Sequence, residues 1–493
     1  MRYGFAIDQR TCIGCHACTV ACKTEHEIPV GQFRTWVKYV DKGEYPANTR
    51  DFAVMRCNHC TDAPCVEICP TGSLFKRDDG IVDFDSDVCI GCKACQQGCP
   101  YDAIYIDEDS HTAAKCNFCA HRVDQGLEPA CVVVCPTHSI WVGDLDDSQS
   151  GISQLVSTHE TSVRAPEQDT KPNVFYLGAD QSTLDPLAAP VDDSYFAAEP
   201  DLLRLARQND GYGDEVTGAK TTLNTAHPRP WGWRVTTYLW TKGVGAGALL
   251  LVAIGLALGL DFGALGRWVA PALALAGTAA TGALLVWDLK QPKRFLLMFL
   301  RPNLRSWVTL GAGVLSLYAL LAVIWLVFGE LSALRWPAIP LAGLTAGYTA
   351  FLFGQAEGRD LWQSPLLLWH LLAQASMVGG GALLVAAPFV GLGGGTRTYL
   401  VACVIVSIGA HLLFTAGEFG GRHATRGAAV AARIAVRGRY ARTFWTSAGL
   451  AVIAAVLTGF GQWPAFVGAL VAQAALLTYE SVYVRAGQDV PLS

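Results

Sequence analysis

Sixteen of the seventeen cysteines fall within the first 135 residues, in four groups of four. The groups are Cys12, Cys15, Cys18, Cys22; Cys57, Cys60, Cys65, Cys69; Cys89, Cys92, Cys95, Cys99; and Cys116, Cys119, Cys131, Cys135. The first and third are spaced C-x2-C-x2-C-x3-C, the second and fourth widen the middle gap, and three groups close on Cys-Pro at Pro70, Pro100 and Pro136. Four thiolates make the ligand set of one cubane, so sixteen support four [4Fe–4S] centres and a chemistry of one-electron transfer. Disulfides and zinc are the competing uses of so much cysteine. Disulfides need an oxidising compartment, and no secretory signal precedes Cys12. Zinc sites use short C-x2-C pairs, without a third cysteine and an x3-C-Pro ending.

These loops need elements to hold them. Short alternating stretches beside the cysteine runs, Tyr3–Asp8, Ile81–Asp85, Ala103–Asp107 and Ser139–Asp144, read as strands. The second half of each run reads as a short helix ended at the Cys-Pro step. The repeated pattern gives two ferredoxin-like modules, each for two clusters, over residues 1–145, with the clusters supplying much of the cohesion. Residues 146–230 are rich in Asp, Ser, Thr, Pro and Gly and read as an extended arm and linker covering a partner subunit. Val174–Leu177 is the one piece apolar enough for a strand, and a disordered tether is the alternative.

Charge and hydropathy divide the chain. Residues 1–229 hold 19 Lys and Arg against 34 Asp and Glu, whereas residues 230–493 hold 18 against 8. The basic half carries eight apolar runs of membrane-spanning length, near 235–260, 268–287, 307–328, 336–355, 365–389, 398–418, 444–460 and 463–484. The expected fold is therefore an α+β double ferredoxin-like domain binding four cubanes, fused to an all-α polytopic bundle of eight transmembrane helices over 231–487. Trp231, Trp233, Trp268, Trp307, Trp336, Trp362 and Trp445 near the ends suit an aromatic belt, and Gly243, Gly245 and Gly247 suit close helix packing. The loops after spans two and six carry most of the Lys and Arg, including Lys290, Arg294, Arg305, Arg426 and Arg433; the opposite loops carry Arg267, Arg335 and Arg397. The positive-inside rule places the first set, both ends of the bundle and the cysteine domain on the cytoplasmic side of the inner membrane. Export with a signal-bearing partner is the alternative.

Two sets of motifs carry a resemblance. Cys12-Ile-Gly-Cys15-His-Ala-Cys18, Met55-Arg-Cys57-Asn-His-Cys60, Cys89-Ile-Gly-Cys92-Lys-Ala-Cys95 and Lys115-Cys116-Asn-Phe-Cys119 resemble the four-cluster electron-transfer subunits of molybdopterin oxidoreductases, among them DMSO, polysulfide and thiosulfate reductases and sulfite dehydrogenase. Trp231-Gly-Trp233, Asp288-Leu-Lys-Gln-Pro292-Lys-Arg-Phe295, Arg301-Pro-Asn-Leu-Arg-Ser-Trp307 and Tyr348 before Trp362 resemble the NrfD-like quinone-reactive membrane subunit of the polysulfide-reductase type. The resemblance implies that subunits usually separate are fused here. It also implies cross-ligation: Cys12, Cys15 and Cys18 with Cys135; Cys116, Cys119 and Cys131 with Cys22; Cys57, Cys60 and Cys65 with Cys99; Cys89, Cys92 and Cys95 with Cys69.

The chain carries no molybdopterin-binding domain. A separate molybdopterin catalytic subunit (Mo or W) is expected as partner, with lipid and menaquinone or ubiquinone on the membrane side and no nucleic acid; a dimer of complexes is compatible with such an assembly. The chain is then the iron–sulfur and quinone-reactive subunit of an oxidoreductase, and cytoplasmic placement favours sulfite or formate oxidation. Ionisable residues within membrane spans are costly and usually functional. They gather toward the cysteine-domain end: Lys242, Asp288, Tyr348, Glu357, His370, His411, Glu418 and Glu480. Tyr348 is the tyrosine the family places against quinone, and Tyr238 stands on the span-one turn that approaches it. Lys242, Asp288, His370 and Glu357 complete the expected quinone set. A haem b held by His370 and His411, though no haem is expected, and a proton-relaying, ion-translocating module are the competing readings.

Overall fold

The computed structural model describes residues 1–191, 195–196, 218–225, 229–329 and 333–493. Of the expected linker, residues 192–194, 197–217 and 226–228 lie outside the described residues.

The strands beside the cysteine loops form as Tyr3–Asp8, Val82–Phe84, Ile104–Ile106 and Ile140–Asp144. Tyr3–Asp8 is central in one sheet, antiparallel to Ile140–Asp144 and parallel to Val174–Leu177, with Phe5 opposite Val174. The apolar stretch at 174–177 thus folds into the cysteine domain's own sheet. It does not extend outward as an arm, because Val174, Tyr176 and Leu177 are buried there. A second sheet, unread in the sequence, pairs Thr35–Lys42 with Thr49–Arg56 and takes Lys220–Thr225 as a further antiparallel strand, Thr221 opposite Val40. The segment leading to the membrane is therefore sewn into the cysteine domain.

Eight helices among the described residues are long and apolar enough to cross a membrane. They are α1 (Trp233–Ala257), α2 (Ala270–Asp288), α3 (Trp307–Phe328), α4 (Arg335–Gly354), α5 (Leu367–Val390), α6 (Gly394–Gly420), α7 (Ala441–Thr458) and α8 (Gln462–Asp489). The chain is a multi-pass membrane protein. α1 is central and packs on α2, α4, α5 and α8. Its contact with α5 depends on small residues: a Cβ on Gly247 would overlap the Ala375 carbonyl, and one on Gly379 would overlap the Ala248 amide. We expect Gly247→Val to wedge these helices apart at a cost of about 1–3 kcal/mol, seen as a lowered thermal midpoint of the detergent-solubilised protein. Between α6 and α7, where the sequence reads as a basic loop, Arg426–Val436 forms an amphipathic helix that buries Val430, Ala431, Ile434 and Ala435.

Trp231 and Trp362 depart from the expected belt. Both are buried and stacked at 5.5 Å, and Phe353 stacks on Trp362 at 4.6 Å. Trp233, Trp268, Trp336 and Trp445 are exposed at helix ends as a belt requires.

The cysteine domain caps the ends of the bundle through its cluster loops. Asn303 Nδ2 donates to the Cys69 carbonyl at 2.8 Å and Ser306 Oγ to Ile68 at 2.7 Å. Arg294 Nη1 donates to Ser86 at 2.6 Å, Lys93 pairs with Asp288 at 2.6 Å, and Gln97 donates to Gln488 at 2.7 Å. The chain packs tightly there: a Cβ on Gly358 would stand 2.6 Å from the Cys99 carbonyl oxygen.

Candidate functional site

The cysteines converge by space, not by sequence run. Cys12, Cys15, Cys18 and Cys135 surround one small cavity, and Cys69, Cys89, Cys92 and Cys95 surround another. Cys22 lies in electrostatic reach of Cys116, Cys119 and Cys131, and Cys65 of Cys57, Cys60 and Cys99. Among the described residues, no three metal-ligating side chains close on a single ion. The loops also aim amides at sulfur: Ser139 N to Cys135 at 3.3 Å, and Gly91 N and Ala113 N to Cys89 at 3.4 Å each. The cradle turns need left-handed backbone, supplied by Gly14 and Gly91 at φ 69° and 66°. The residues present fit cubane clusters.

The four sets form a row. Arg56 lies between the first two, buried, with Nη1 3.3 Å from Cys131 Sγ and its guanidinium 4.3 Å above the Phe5 ring. Cys116 lies in electrostatic reach of Cys57, next to the third set, and Cys95 of Cys65, between the third and the fourth. Buried Lys115 donates to the Val82 and Cys116 carbonyls. These cations stand beside anionic ligands, where charge and hydrogen bonding set cluster potential. The sequence held their signal, a basic residue next to a cysteine at Arg56-Cys57, Cys92-Lys93 and Lys115-Cys116, but adjacency alone gives such a residue no role. At one end of the row Cys15 is exposed with Ile13, and Val20 and Val133, on the two helices that pack together next to this set, are exposed as well, at 61% and 60%. At the other end, Trp231 Nε1 lies 3.5 Å from the Cys92 carbonyl where the row meets the membrane helices.

The polar residues of the bundle separate into distinct places. Lys242 on α1 is buried, donates to Thr349 Oγ1 on α4, and sits 4.6 Å from the centroid of the Tyr348 ring. Tyr238, one turn nearer the cysteine domain, is in electrostatic reach of Tyr348, Asp288 and Glu480. Glu480 on α8 is buried, faces Lys242, and leaves Oε2 without a hydrogen-bond partner. Lys242 lies nine residues into α1, about 13 Å along the axis. The Gly311 Cα supplies the room for Tyr348, since a Cβ there would overlap its ring.

The other expected residues lie elsewhere. Asp288 is held at the domain junction by Lys93 at 2.6 Å and Arg234 at 3.6 Å. These partners are far away in sequence and were not read from it. His370 belongs to a separate buried group: Nδ1 is 2.8 Å from Glu418 Oε2, Nε2 is 2.8 Å from His411 Nδ1, and Tyr479 Oη donates to Glu418 Oε2 at 3.2 Å. The two imidazoles hydrogen-bond to each other and are not opposed across a gap that admits a haem iron. Glu357 lies in the turn after α4. Burial, then Glu67 and Asp62, push its carboxyl up to about 7. A carboxyl raised in the folded state from its ordinary 4.5 adds stability that is full below that value and is lost as pH rises through about 7. We expect Glu357→Gln to flatten that loss between pH 5 and 8 in thermal melts, by less than about 1 kcal/mol because the residue is half-buried.

Comparison with known proteins agrees with both halves. Residues 49–145 match the 4Fe-4S dicluster domain family, and residues 221–478 match the family "Polysulphide reductase, NrfD". The first part is 44% identical over 190 residues to a tetrathionate reductase subunit of Salmonella typhimurium, covering 38% of this chain and 76% of that protein. It is 39% identical over 179 residues to a polysulfide reductase chain of Wolinella succinogenes, covering 36% and 94%. It is also 40% identical over 178 residues to protein NrfC of Escherichia coli, covering 36% and 80%. This protein belongs to the NrfD polysulphide-reductase family, joined in one polypeptide to an iron–sulfur subunit of the tetrathionate and polysulfide reductase kind.

Proposed function

We propose that this chain carries electrons between a membrane quinone and a separate molybdopterin catalytic subunit. Four [4Fe–4S] clusters, when bound, supply the one-electron steps. The sixteen cysteines hold them in the cross-ligated sets, in the order Cys12 set, Cys22 set, Cys57 set, Cys89 set. The observation that carries the reading is the junction: the Cys69/Cys89/Cys92/Cys95 loops rest on the helix ends above the Lys242–Tyr348 site. Lys242, Tyr238, Tyr348 and Glu480 provide donors and a proton acceptor for the two quinone oxygens, within a desolvated bundle that strengthens each interaction. Asp288 holds Lys93 and the cluster loop in place, and Glu357 lies at the junction instead of in the quinone pocket. His370 serves apart from both.

The catalytic subunit docks on the exposed apolar face around Cys15, where Ile13, Val20 and Val133 would otherwise face water. Reductase names among the relatives favour flow from quinol toward that subunit. The expectation of sulfite or formate oxidation rested on sidedness alone. The cytoplasmic inner-membrane placement draws support from the basic residues left over after Arg294 and Lys93 engage across the junction, among them Lys293, Arg301, Arg422 and Arg442. The domain limits that follow are 1–191 with the Lys220–Thr225 strand for the cluster domain, and 231–489 for the bundle.

Anaerobic mixing of the purified complex with a short-chain quinol should bleach the cluster absorbance. No bleaching, with clusters that dithionite still reduces, overturns the quinone reading. A reporter active only outside the cytoplasm should be silent when fused after Ser493 and active in the 391–395 loop. The reverse pattern places the cluster domain outside.

A further inference from the structure

The group His370, His411, Glu418 and Tyr479 has no role in the electron path described above, yet among the described residues of the bundle it forms a continuous hydrogen-bonded series of titratable side chains. His370 and Glu418 side chains are 0% and 1% exposed, and His411 and Tyr479 are 2% exposed. Its wiring is directional. Glu418 Oε2 accepts from Tyr479 Oη and faces His370 Nδ1, so Nδ1 carries the proton of that bond and Nε2 accepts from His411 Nδ1–H. A proton entering at His411 passes to His370 Nε2, and the one on Nδ1 moves to Glu418. His411 and Glu418 are seven residues apart on α6, about 10 Å along the helix axis, roughly a third of a bilayer core.

The surroundings suit a proton held and then passed on. Glu418 Oε1 is buried without a partner, as is Glu480 Oε2. Tyr479 and Glu480 are neighbours on α8 that point about 100° apart, one into the tetrad and one toward Lys242. Gln374, one turn beyond His370 on α5, also buries an unpartnered Oε1. From α8 the tetrad further meets Tyr483, which stacks on Tyr479 at 5.9 Å. α7 presents Phe444 through Phe419 at 5.0 Å, and α1 contributes Lys242 through Glu480. A structural hydrogen-bond cluster would satisfy its acceptors; this one leaves a carboxylate oxygen open at each end of the step to the quinone site.

We propose that the His370–His411–Glu418–Tyr479 tetrad is a proton-loading site for the quinone reaction, taking up one proton per turnover and releasing it separately. The inference rests on the quinone reading above. Oxidation of one quinol gives one quinone, two electrons and two protons. The electrons pass to the cysteine-bound clusters, one proton leaves directly to the aqueous face, and the other passes by Glu480 to the tetrad.

The test mixes the purified complex anaerobically with a short-chain benzoquinol in weakly buffered solution. Cluster bleaching counts electrons and a pH indicator counts protons. In the first turnover, wild type should release about one proton per quinol, and Glu418→Gln and His411→Gln should release about two, at cluster reduction within about threefold of wild type. An infrared difference band from a protonated carboxyl should accompany wild-type reduction and vanish in Glu418→Gln. Should one variant fail to assemble, the other carries the count. Bleaching with equal proton release in wild type and variants overturns the tetrad's role and leaves the quinone reading standing. The absence of quinol-driven bleaching in wild type overturns the quinone reading itself, and the tetrad proposal with it.

Discussion

Replacing Lys242 by methionine is expected to slow quinol-driven reduction of the clusters about a hundredfold, the loss seen when a preorganised donor to developing charge is removed from a desolvated site. Methionine keeps the unbranched stem and removes the ammonium that bonds Thr349 and lies over Tyr348. Tyr348→Phe removes a neutral hydroxyl, worth about 0.5–1.5 kcal/mol, and should cost only about threefold to tenfold. Stopped-flow bleaching with a quinol measures both, and dithionite reduction of the same samples shows whether the clusters are intact. Unchanged quinol rates in both variants would move the pocket away from α1 and α4. Equal losses with quinol and dithionite would mean that assembly alone was disturbed.

Cys135→Ser is expected to remove or convert the cluster held with Cys12, Cys15 and Cys18, although Cys135 belongs by sequence to the run of Cys116 and Cys119. Loss of one cubane lowers the iron content by about four atoms per chain. The cavity lined by Cys12, Cys15, Cys18 and Cys135 motivates the assignment. This set lies at the exposed end of the row, so its loss should cut electron exchange with the catalytic partner. Quinol should still reduce the remaining centres. Paramagnetic resonance of the variant decides: loss of the signal belonging to the Cys116 set, with the other retained, would reverse the pairing.

The elements that were legible in the sequence are those fixed by local pattern. Cysteine spacing marked the cluster loops, and a continuous apolar run of about 20 residues is a helix in a bilayer because only a helix satisfies a segment's backbone within that segment. The strands at Tyr3–Asp8 and Ile140–Asp144 followed from alternation beside those loops. The Thr35–Lys42 and Thr49–Arg56 hairpin does not alternate, being buried in blocks, and its third strand arrives from Lys220–Thr225, a pairing no local window contains. The polar sites divide the same way. Depth along each span showed that Lys242, Tyr348 and His370 lie toward one end of the bundle. Which side chains share a site depends on helix rotation, and that put His370 with Glu418 while Lys242 faces Thr349. Asp288 was read into the quinone set because its partner, Lys93, stands 195 residues away and no local pattern links the two. Tyr479 was missed outright, since one tyrosine in an apolar helix is ordinary until its hydroxyl is seen on a buried carboxylate.

Both ends of the membrane bundle are fastened to the same patch of the cluster domain. Lys220–Thr225 is a strand of its hairpin sheet, and Asn224 of that strand donates through Nδ2 to the Ser493 carbonyl at 3.0 Å. In a complex of separate subunits, the junction would have to be strong enough to survive dilution in the membrane plane. Here encounter is intramolecular, at an effective concentration that short linkers raise to about the millimolar range. The junction can therefore consist of individually weak polar bonds, such as Gln97 to Gln488, and still hold the last cluster loop against the helices on every turnover. On the proposed path, electron exchange across it becomes first-order in this chain, indifferent to how many copies the membrane holds.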